Sequence, residues 1–243
     1  MKERPTLLNI DEQIRGYNFV NSFQGNCKEL VVSYDKFYDI YYLFASANLN
    51  LVKAANKNLD ITEFKTTNDE IFRSFIRSEY LKSTILAYRS IEDYIMQVVM
   101  FGFKLKSIGK SKKSFRQNSK KNYYKITINK LNGYNKKNGN KLINLEKIIK
   151  GFNDNEDYGK YIVNIANGIK HGNTIRFKEL PKQYFMKYEE KNFKTSWIES
   201  DYYSIDELVD ICYKLNPIIK KYVEDVHNEL IKQYPKYNIS SIK

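Results

Sequence analysis

The sequence predicts a mainly α-helical fold, a helical bundle with a small β-hairpin insertion and a long basic loop. Apolar residues recur at three- and four-residue spacing over long stretches, which is the period of helices that bury one face. This period gives way to alternation only within residues 174–203. With 243 residues, of which 42% are hydrophobic, the chain is long and apolar enough for a core, and we expect residues 1–243 to form a single domain.

The first half of the chain predicts two long helices. Residues 1–10 form an irregular lead-in, and helical spacing then covers about residues 11–56. Thr67 followed by Glu70 is the pattern of a capping box, so a second helix is expected to begin there. Its apolar residues keep helical spacing to about Phe103, and we expect nearly all of this helix to lie in the core.

The segment between Tyr94 and Leu145 contains no Asp or Glu and 13 Lys and Arg. The 28 basic residues outside it equal in number the 28 acidic residues of the whole chain. The net charge of +13 is therefore concentrated in this acid-free segment. Its glycines, which stand among Ser, Asn and Lys, predict that residues 104–141 form a loop with at most short helical pieces.

Three further elements follow the acid-free segment. Helical spacing resumes near Leu142, and residues 157–171 form another helix that is expected to end at Gly172. Residues 174–203 are expected to form a hairpin, with strands at 175–178 and 193–198 and a turn at 190–192. A last helix is expected to open with a second capping box, formed by Ser204 and Glu207.

The acid-free segment suits a nucleic-acid partner. A local field of this sign attracts a polyanion through counterion release, and the interleaved Phe and Tyr residues can stack on unpaired bases. The other interpretations are a solvated, partly disordered loop and a basic loop that docks on an acidic protein partner. The residues expected to contact nucleic acid are Lys104, Lys106, Lys110, Lys112, Lys113, Arg116, Lys120, Lys121, Lys125 and Lys160.

Residue usage argues against several kinds of site and location. Two histidines and two cysteines, without a pair at metal-ligand spacing, argue against a zinc site. Neither a glycine-rich phosphate loop nor a dinucleotide motif occurs, so we expect no metal and no cofactor. The longest apolar run is too short to cross a bilayer, and the first residues lack a secretory signal. We therefore expect a cytoplasmic protein without a membrane partner.

The helix predicted at 157–171 carries two opposite stripes. The apolar stripe consists of Tyr158, Ile162, Ile165 and Ile169. The polar stripe consists of Lys160, Asn164, Asn167 and His171. All four polar residues can donate a hydrogen bond to a phosphate, and a histidine can act as general acid or base near neutral pH. The alternative is a hydrated helix face that ends in an ordinary way at Lys170 and His171. His227 is expected to face solvent with a structural role.

The motif at residues 167–171, Asn-x-x-x-His within a mainly helical chain, resembles the HEPN superfamily. This resemblance implies a helical bundle that usually forms a homodimer and, in active members, a metal-independent ribonuclease. Many such proteins belong to phage-defence or toxin–antitoxin systems, so RNA and an antitoxin or defence-system protein are the implied partners. In the family the histidine assists attack of a ribose 2′-hydroxyl on the adjacent phosphodiester. The resemblance assigns this role to His171, with Asn167 at the polar position of the motif.

The family motif places an arginine five to seven positions before the histidine, and this chain departs from it there. The corresponding residues are Asn164, Ile165 and Ala166, and a neutral amide cannot stabilise a phosphorane as a guanidinium does. Lys170, Arg176 and Lys160 are the cations that could replace the missing arginine. Two hypotheses remain open. One is an RNA-directed HEPN-like protein, either a ribonuclease effector or a binder; the other is a non-catalytic helical scaffold or adaptor with an acidic partner.

Overall fold

Three long helices form the frame of the fold, which is known from a computed structural model. The helices are α1 (Lys28–Ala55), α2 (Asp69–Gly102) and α7 (Ile205–Gln233), and they pack against one another. The described residues are 27–119, 123–171, 175–181 and 202–235. The mainly α-helical class predicted from the sequence is confirmed. Within the described ranges, no helix is both long and apolar enough to span a membrane.

Shorter elements pack on this frame between α2 and α7. They are the helices α3 (Lys112–Ser119), α4 (Tyr124–Lys137), α5 (Ile143–Asn153) and α6 (Asn164–Lys170), and a π-helical segment, Tyr158–Val163, that leads directly into α6. α4, α6 and the π-helical segment contact α2, whereas α5 contacts α7. The stacked rings of Phe152 and Tyr222, 4.0 Å apart, join α5 to α7.

Helix α2 lies at the centre of the core. Its last five residues, 98–102, are all buried, which requires neighbours on every side of the helix. At Gly102 an added Cβ would lie 2.5 Å from Ser33 Oγ of α1 and 2.7 Å from Leu230 Cδ1 of α7. A residue without a side chain is therefore needed where the three long helices approach most closely.

A buried polar junction holds the three long helices together near their middle. The side-chain amide of Asn216 in α7 donates to Asn48 of α1 and, over 2.8 Å, to the Tyr88 hydroxyl of α2. All three side chains are buried. Because an unpaired buried amide is costly, this junction favours one relative position of the three helices over others.

The predicted extent of α2 is correct within a few residues, whereas α1 begins at Lys28 rather than near residue 11, and the predicted caps of α2 and α7 differ from those observed. α2 is capped by Asn68, whose side chain accepts from the Ile71 backbone N–H at 3.0 Å, so the predicted Thr67 capping box is wrong. Ser204 does stand at the N-cap of α7. However, its hydroxyl donates to Glu179 rather than capping its own helix. Residues 1–26 lie outside the described ranges.

The prediction of a long basic loop at 104–141 is wrong, because α3 and α4 occupy much of it. Lysine is a good helix former, and α4 buries an apolar stripe that includes Ile128 and Leu131. Gly109 and Gly139 do adopt positive φ angles of 90° and 62°, and both lie outside the helices. Gly133, in contrast, is an exposed helical residue. Because every glycine was treated as a helix breaker, the sequence did not predict α4.

The described strands do not form the predicted hairpin. β1 (Arg176–Phe177) and β2 (Tyr202–Tyr203) pair in parallel, with Arg176 opposite Tyr202, whereas the two strands of a hairpin are antiparallel. β1 falls within the predicted strand at 175–178. The second predicted strand, at 193–198, and its turn lie outside the described ranges.

Glu179, which lies in an earlier segment of the chain, stabilises the N-terminus of α7. One carboxylate oxygen of Glu179 accepts from both the Ser204 hydroxyl and the Ile205 backbone N–H, each at 2.9 Å. We expect Glu179→Ala to lower the free energy of unfolding by about 1–2 kcal/mol, the usual cost of losing a helix cap. Glu179→Gln keeps an acceptor oxygen and should lose less. Urea denaturation of both variants measures the difference, and equal stability of Glu179→Ala and the unchanged protein would refute the capping role.

Candidate nucleic-acid interface and histidine site

The lysines of α4 share one exposed face. They are Lys125, Lys130, Lys136 and Lys137, and all four are exposed. At 3.6 residues per turn these positions fall within about 140° of the helix circumference. Thr127, Ile128 and Leu131 occupy the opposite side and are buried. Because the apolar side of α4 is committed to the core, its lysines must face outward together.

Nine exposed cations in the acid-free segment pair with no acidic side chain of the described residues. They are Lys104, Lys110, Lys113, Arg116, Lys125, Lys130, Lys136, Lys137 and Lys141. Among the described residues, none of these nine forms an ion pair with a carboxylate. Elsewhere, lysines such as Lys36, Lys150 and Lys221 do pair with acidic side chains. We call these nine residues the basic surface.

Other residues predicted to contact nucleic acid have different surroundings. Lys106 is partly buried, and its ammonium group donates to the Asn118 carbonyl at 2.6 Å, so it supports the local chain. Lys120 and Lys121 lie outside the described residues, as does the side chain of Lys112. Lys160 is exposed on the π-helical segment, and a hydrogen bond with Tyr161 raises the pKa of Lys160 above its ordinary value.

The region 157–171 has the predicted faces, although it is not a regular α-helix throughout. Residues 158–163 are π-helical, and α6 begins only at Asn164. The whole polar stripe of Lys160, Asn164, Asn167 and His171 is exposed. On the apolar stripe Tyr158, Ile162 and Ile165 are buried, and Ile169 packs against the core. π-helical turns are rare and frequently occur at functional sites.

His171 lies at the C-cap of α6, where its backbone N–H donates to the Asn167 carbonyl at 3.0 Å. The next residue, Gly172, which was expected to end the helix, lies outside the described ranges. The structure shows the surroundings of the three positions at which the family motif places arginine. Asn164 is exposed, whereas Ile165 and Ala166 are buried in the core. None of the three motif positions therefore supplies a cation to His171.

Arg176, one of the expected substitutes, belongs to a different feature. Its guanidinium donates to the Tyr202 hydroxyl at 3.0 Å and lies over the Tyr202 ring. Both residues line a groove of about 670 Å³ whose other walls include Phe75 and Ile71, from the start of α2. Arg176 is thus tied to the small sheet rather than to the polar stripe.

Sequence reasoning missed a charged cluster in which α2 meets the π-helical segment and α6. Arg89 pairs with Glu92, one turn further along α2, and also lies 3.6 Å from Asp93. The other carboxylate oxygen of Asp93 lies 3.6 Å from the ammonium group of Lys170. Glu92 is only 2% exposed and also accepts from the Tyr158 hydroxyl at 3.0 Å. Lys170 therefore joins this cluster, and it directly precedes His171.

A sequence signal for this cluster existed. Arg89, Glu92 and Asp93 stand at i, i+3 and i+4, the spacing of ion pairs on one helix face. Three charged residues within the apolar part of a core helix require a local explanation.

Comparison with known proteins finds no relative of this chain. No family model, no curated protein and no solved structure matches the chain. The resemblance to the HEPN superfamily therefore stays a prediction that rests on the residues quoted for it.

The second histidine is buried, so the expectation that His227 faces solvent is wrong. His227 is 1% exposed, lies edge-on to the Phe37 ring and is 3.3 Å from the Tyr34 hydroxyl. Burial lowers its pKa from 6.5 to about 4. The position follows the apolar stripe of α7 by one residue, and α1 and α7 are close enough there to enclose it.

The buried His227 predicts how stability depends on pH. Between pH 6.5 and pH 4 the unfolded chain protonates this histidine while the folded chain keeps it neutral. The free energy of unfolding should therefore fall as pH decreases through this window, by up to about 1.4 kcal/mol per pH unit. Urea denaturation from pH 7 to pH 4.5 measures this slope. His227→Gln should reduce the slope and His171→Gln should not, and equal slopes in the two variants would contradict the assignment.

Proposed function

We propose that this protein binds single-stranded RNA through the basic surface. One observation carries the proposal: nine exposed cations, four of them on one face of α4, have no carboxylate partner in the described part of the chain. Cations without acidic partners attract a nucleic-acid backbone, and each phosphate contact releases a counterion. Tyr123, at the N-cap of α4, is 49% exposed. An exposed ring beside a lysine face suits stacking on an unpaired base.

The choice of RNA rests on the motif at 167–171. Its histidine is exposed, and the polar stripe that ends there contains side chains that can donate to phosphate. From the resemblance to the HEPN superfamily, we propose that the polar stripe lies in the cleft of a homodimer. The same resemblance would place the protein in a phage-defence or toxin–antitoxin system, with an antitoxin or a defence protein as partner.

Removal of the lysine face of α4 tests binding. We expect the combined substitution of Lys125, Lys130, Lys136 and Lys137 by Gln to weaken binding of an unstructured RNA oligonucleotide by at least about tenfold. The plot of log affinity against log salt should also become shallower by about 2–3, since each lost contact to single-stranded nucleic acid removes about 0.7. Fluorescence anisotropy over a series of KCl concentrations measures both quantities.

A second fourfold variant controls for net charge. Substitution of Lys28, Lys214, Lys221 and Lys232 by Gln changes the net charge equally, but at exposed positions on α1 and α7. We expect this variant to retain most of the affinity and the salt slope. Equal losses in the two variants would show that overall charge alone attracts RNA. Absence of RNA binding by the unchanged protein at low salt would refute the proposal and favour an adaptor with an acidic protein partner.

A second candidate function is metal-independent RNA cleavage that uses His171. The observation that favours it is the exposed His171 adjoining Lys170, which belongs to a cluster with a second cation, Arg89. A histidine can accept the proton of the ribose 2′-hydroxyl as that oxygen attacks phosphorus, and nearby cations stabilise the added negative charge. The bond between phosphorus and the 5′-oxygen then breaks, the departing oxygen takes the proton from the imidazolium, and the products are a 2′,3′-cyclic phosphate and a 5′-hydroxyl.

Cleavage is tested by incubating RNA with the protein in EDTA. We expect the unchanged protein to form 2′,3′-cyclic phosphate ends and His171→Ala to be at least about 100-fold slower, because a positioned general base contributes on this order. RNA affinity should change little in this variant, since the basic surface is intact. RNA methylated at the 2′-oxygen should bind but remain uncut. Intact RNA after incubation with the unchanged protein would refute the catalytic form and leave the binding proposal standing.

A further inference from the structure

We propose that Arg89 and Lys170 form a phosphodiester-binding site beside His171, and that Asp93 occupies this site as an internal anion when no phosphate is bound. The inference deepens the proposed function and rests on it for the choice of ligand. Arg89 and Lys170 would supply the positive charge that Asn164, Ile165 and Ala166 cannot provide at the motif positions.

The contacts of Asp93 are those of a replaceable anion. Its two carboxylate oxygens lie 3.6 Å from Arg89 Nη2 and 3.6 Å from Lys170 Nζ, one oxygen to each cation. Both distances are compatible with an ion pair but too long for a hydrogen bond. The side chain of Asp93 is also 41% exposed, so it can turn into solvent. A ligand that made true hydrogen bonds to the same two cations would therefore displace it.

Arg89 has hydrogen-bonding capacity to offer such a ligand. A guanidinium carries five N–H donors, and the hydrogen bond from Arg89 Nη1 to Glu92 satisfies one of them. Its Nε is buried and has no hydrogen-bond partner among the described residues. A phosphate that approached from the side of Asp93 would gain donors that the folded chain leaves unused.

The arginine is held in place before any ligand binds. Its side chain is 16% exposed, and it pairs with Glu92, whose own carboxylate is fixed by the Tyr158 hydroxyl. A cation positioned in advance in a partly dry site stabilises a developing negative charge more effectively than a flexible surface lysine does. Lys170, with 42% of its side chain exposed, provides the second and more mobile contact.

Charge and shape favour a phosphodiester as the ligand. Once Asp93 turns away, Arg89 and Lys170 supply two positive charges and Glu92 one negative charge, which leaves a net charge of +1. A phosphodiester carries a single negative charge on two non-bridging oxygens, so it can replace the two oxygens of Asp93 contact for contact. Arginine is well suited to such paired oxygens because its N–H groups form a planar fork.

The deoxydinucleotide TpT tests the site by itself. It carries one phosphodiester, has no 2′-hydroxyl to be cleaved and is too short to span the basic surface. The chain contains two histidines, so NMR of the imidazole Cε1–H groups gives two signals, with the buried His227 as internal reference. We expect TpT to shift the His171 signal saturably and to leave the His227 signal in place. A His171 signal that does not respond to TpT would overturn the inference.

Neutralising the internal anion should strengthen binding. Asp93→Asn removes the competing carboxylate, and we expect TpT to bind about fivefold more tightly, the order expected for the loss of two partly exposed ion pairs. Asp225→Asn is the matched control, because it makes the same charge change and breaks the ion pair of Asp225 with Lys221. Lys170→Gln should abolish the response of His171, and Arg89→Lys should weaken it. Equal affinities of Asp93→Asn and Asp225→Asn would overturn the inference.

The fourfold lysine variant of α4 separates the two proposals. It should lose affinity for long RNA and keep the TpT response, because Arg89, Asp93 and Lys170 are unchanged. RNA binding without a TpT response in the unchanged protein would refute the phosphodiester site and leave RNA binding intact. A TpT response without RNA binding would refute the proposed function and retain the phosphodiester site.

Discussion

The buried carboxylate of Glu92 is the constraint on which the arrangement around His171 depends. A charge removed from water is costly unless it is paired and hydrogen-bonded. Glu92 meets this requirement with Arg89 of its own helix and with the Tyr158 hydroxyl of the π-helical segment. These contacts fix Arg89 and hold the π-helical segment against α2. The ion pair between Lys170 and Asp93 then ties the C-terminal end of α6 to the same helix.

The burial of α2 also explains how the basic surface forms. Because α2 is enclosed on every side near its C-terminal end, the acid-free chain that follows it must return and cover it. α4 does so with an apolar side that includes Ile128 and Leu131. Its lysines are then left in solvent, away from the carboxylates that pair with lysines elsewhere. Charge segregation along the sequence thereby becomes charge segregation in space, since a helix that buries one face must expose the other.

Sequence periodicity was sufficient for the class of fold, for the extent of α2, for the start of α7, and for the two faces of residues 157–171. These predictions depend on local apolar spacing, which tertiary packing rarely overrides in long helices. Errors arose where single residues were given too much weight. Gly133 is exposed on a helix and breaks nothing, whereas the second capping box failed because Ser204 meets Glu179, a residue of a distant segment. Contacts of this kind have no local signature.

The sequence by itself determined the helical class of the protein, the acid-free segment, and the outward position of Asn164, Asn167 and His171, because each follows from composition or from a short repeat. Tertiary structure alone decided the burial of His227, the parallel pairing of β1 with β2, and the meeting of Arg89, Asp93 and Lys170. The ion pair between Asp93 and Lys170 joins residues far apart in the chain, and only the packing of α6 against α2 brings them within 3.6 Å. Local spacing specifies which face of a helix is polar, but which charges meet there depends on the packing of the helices.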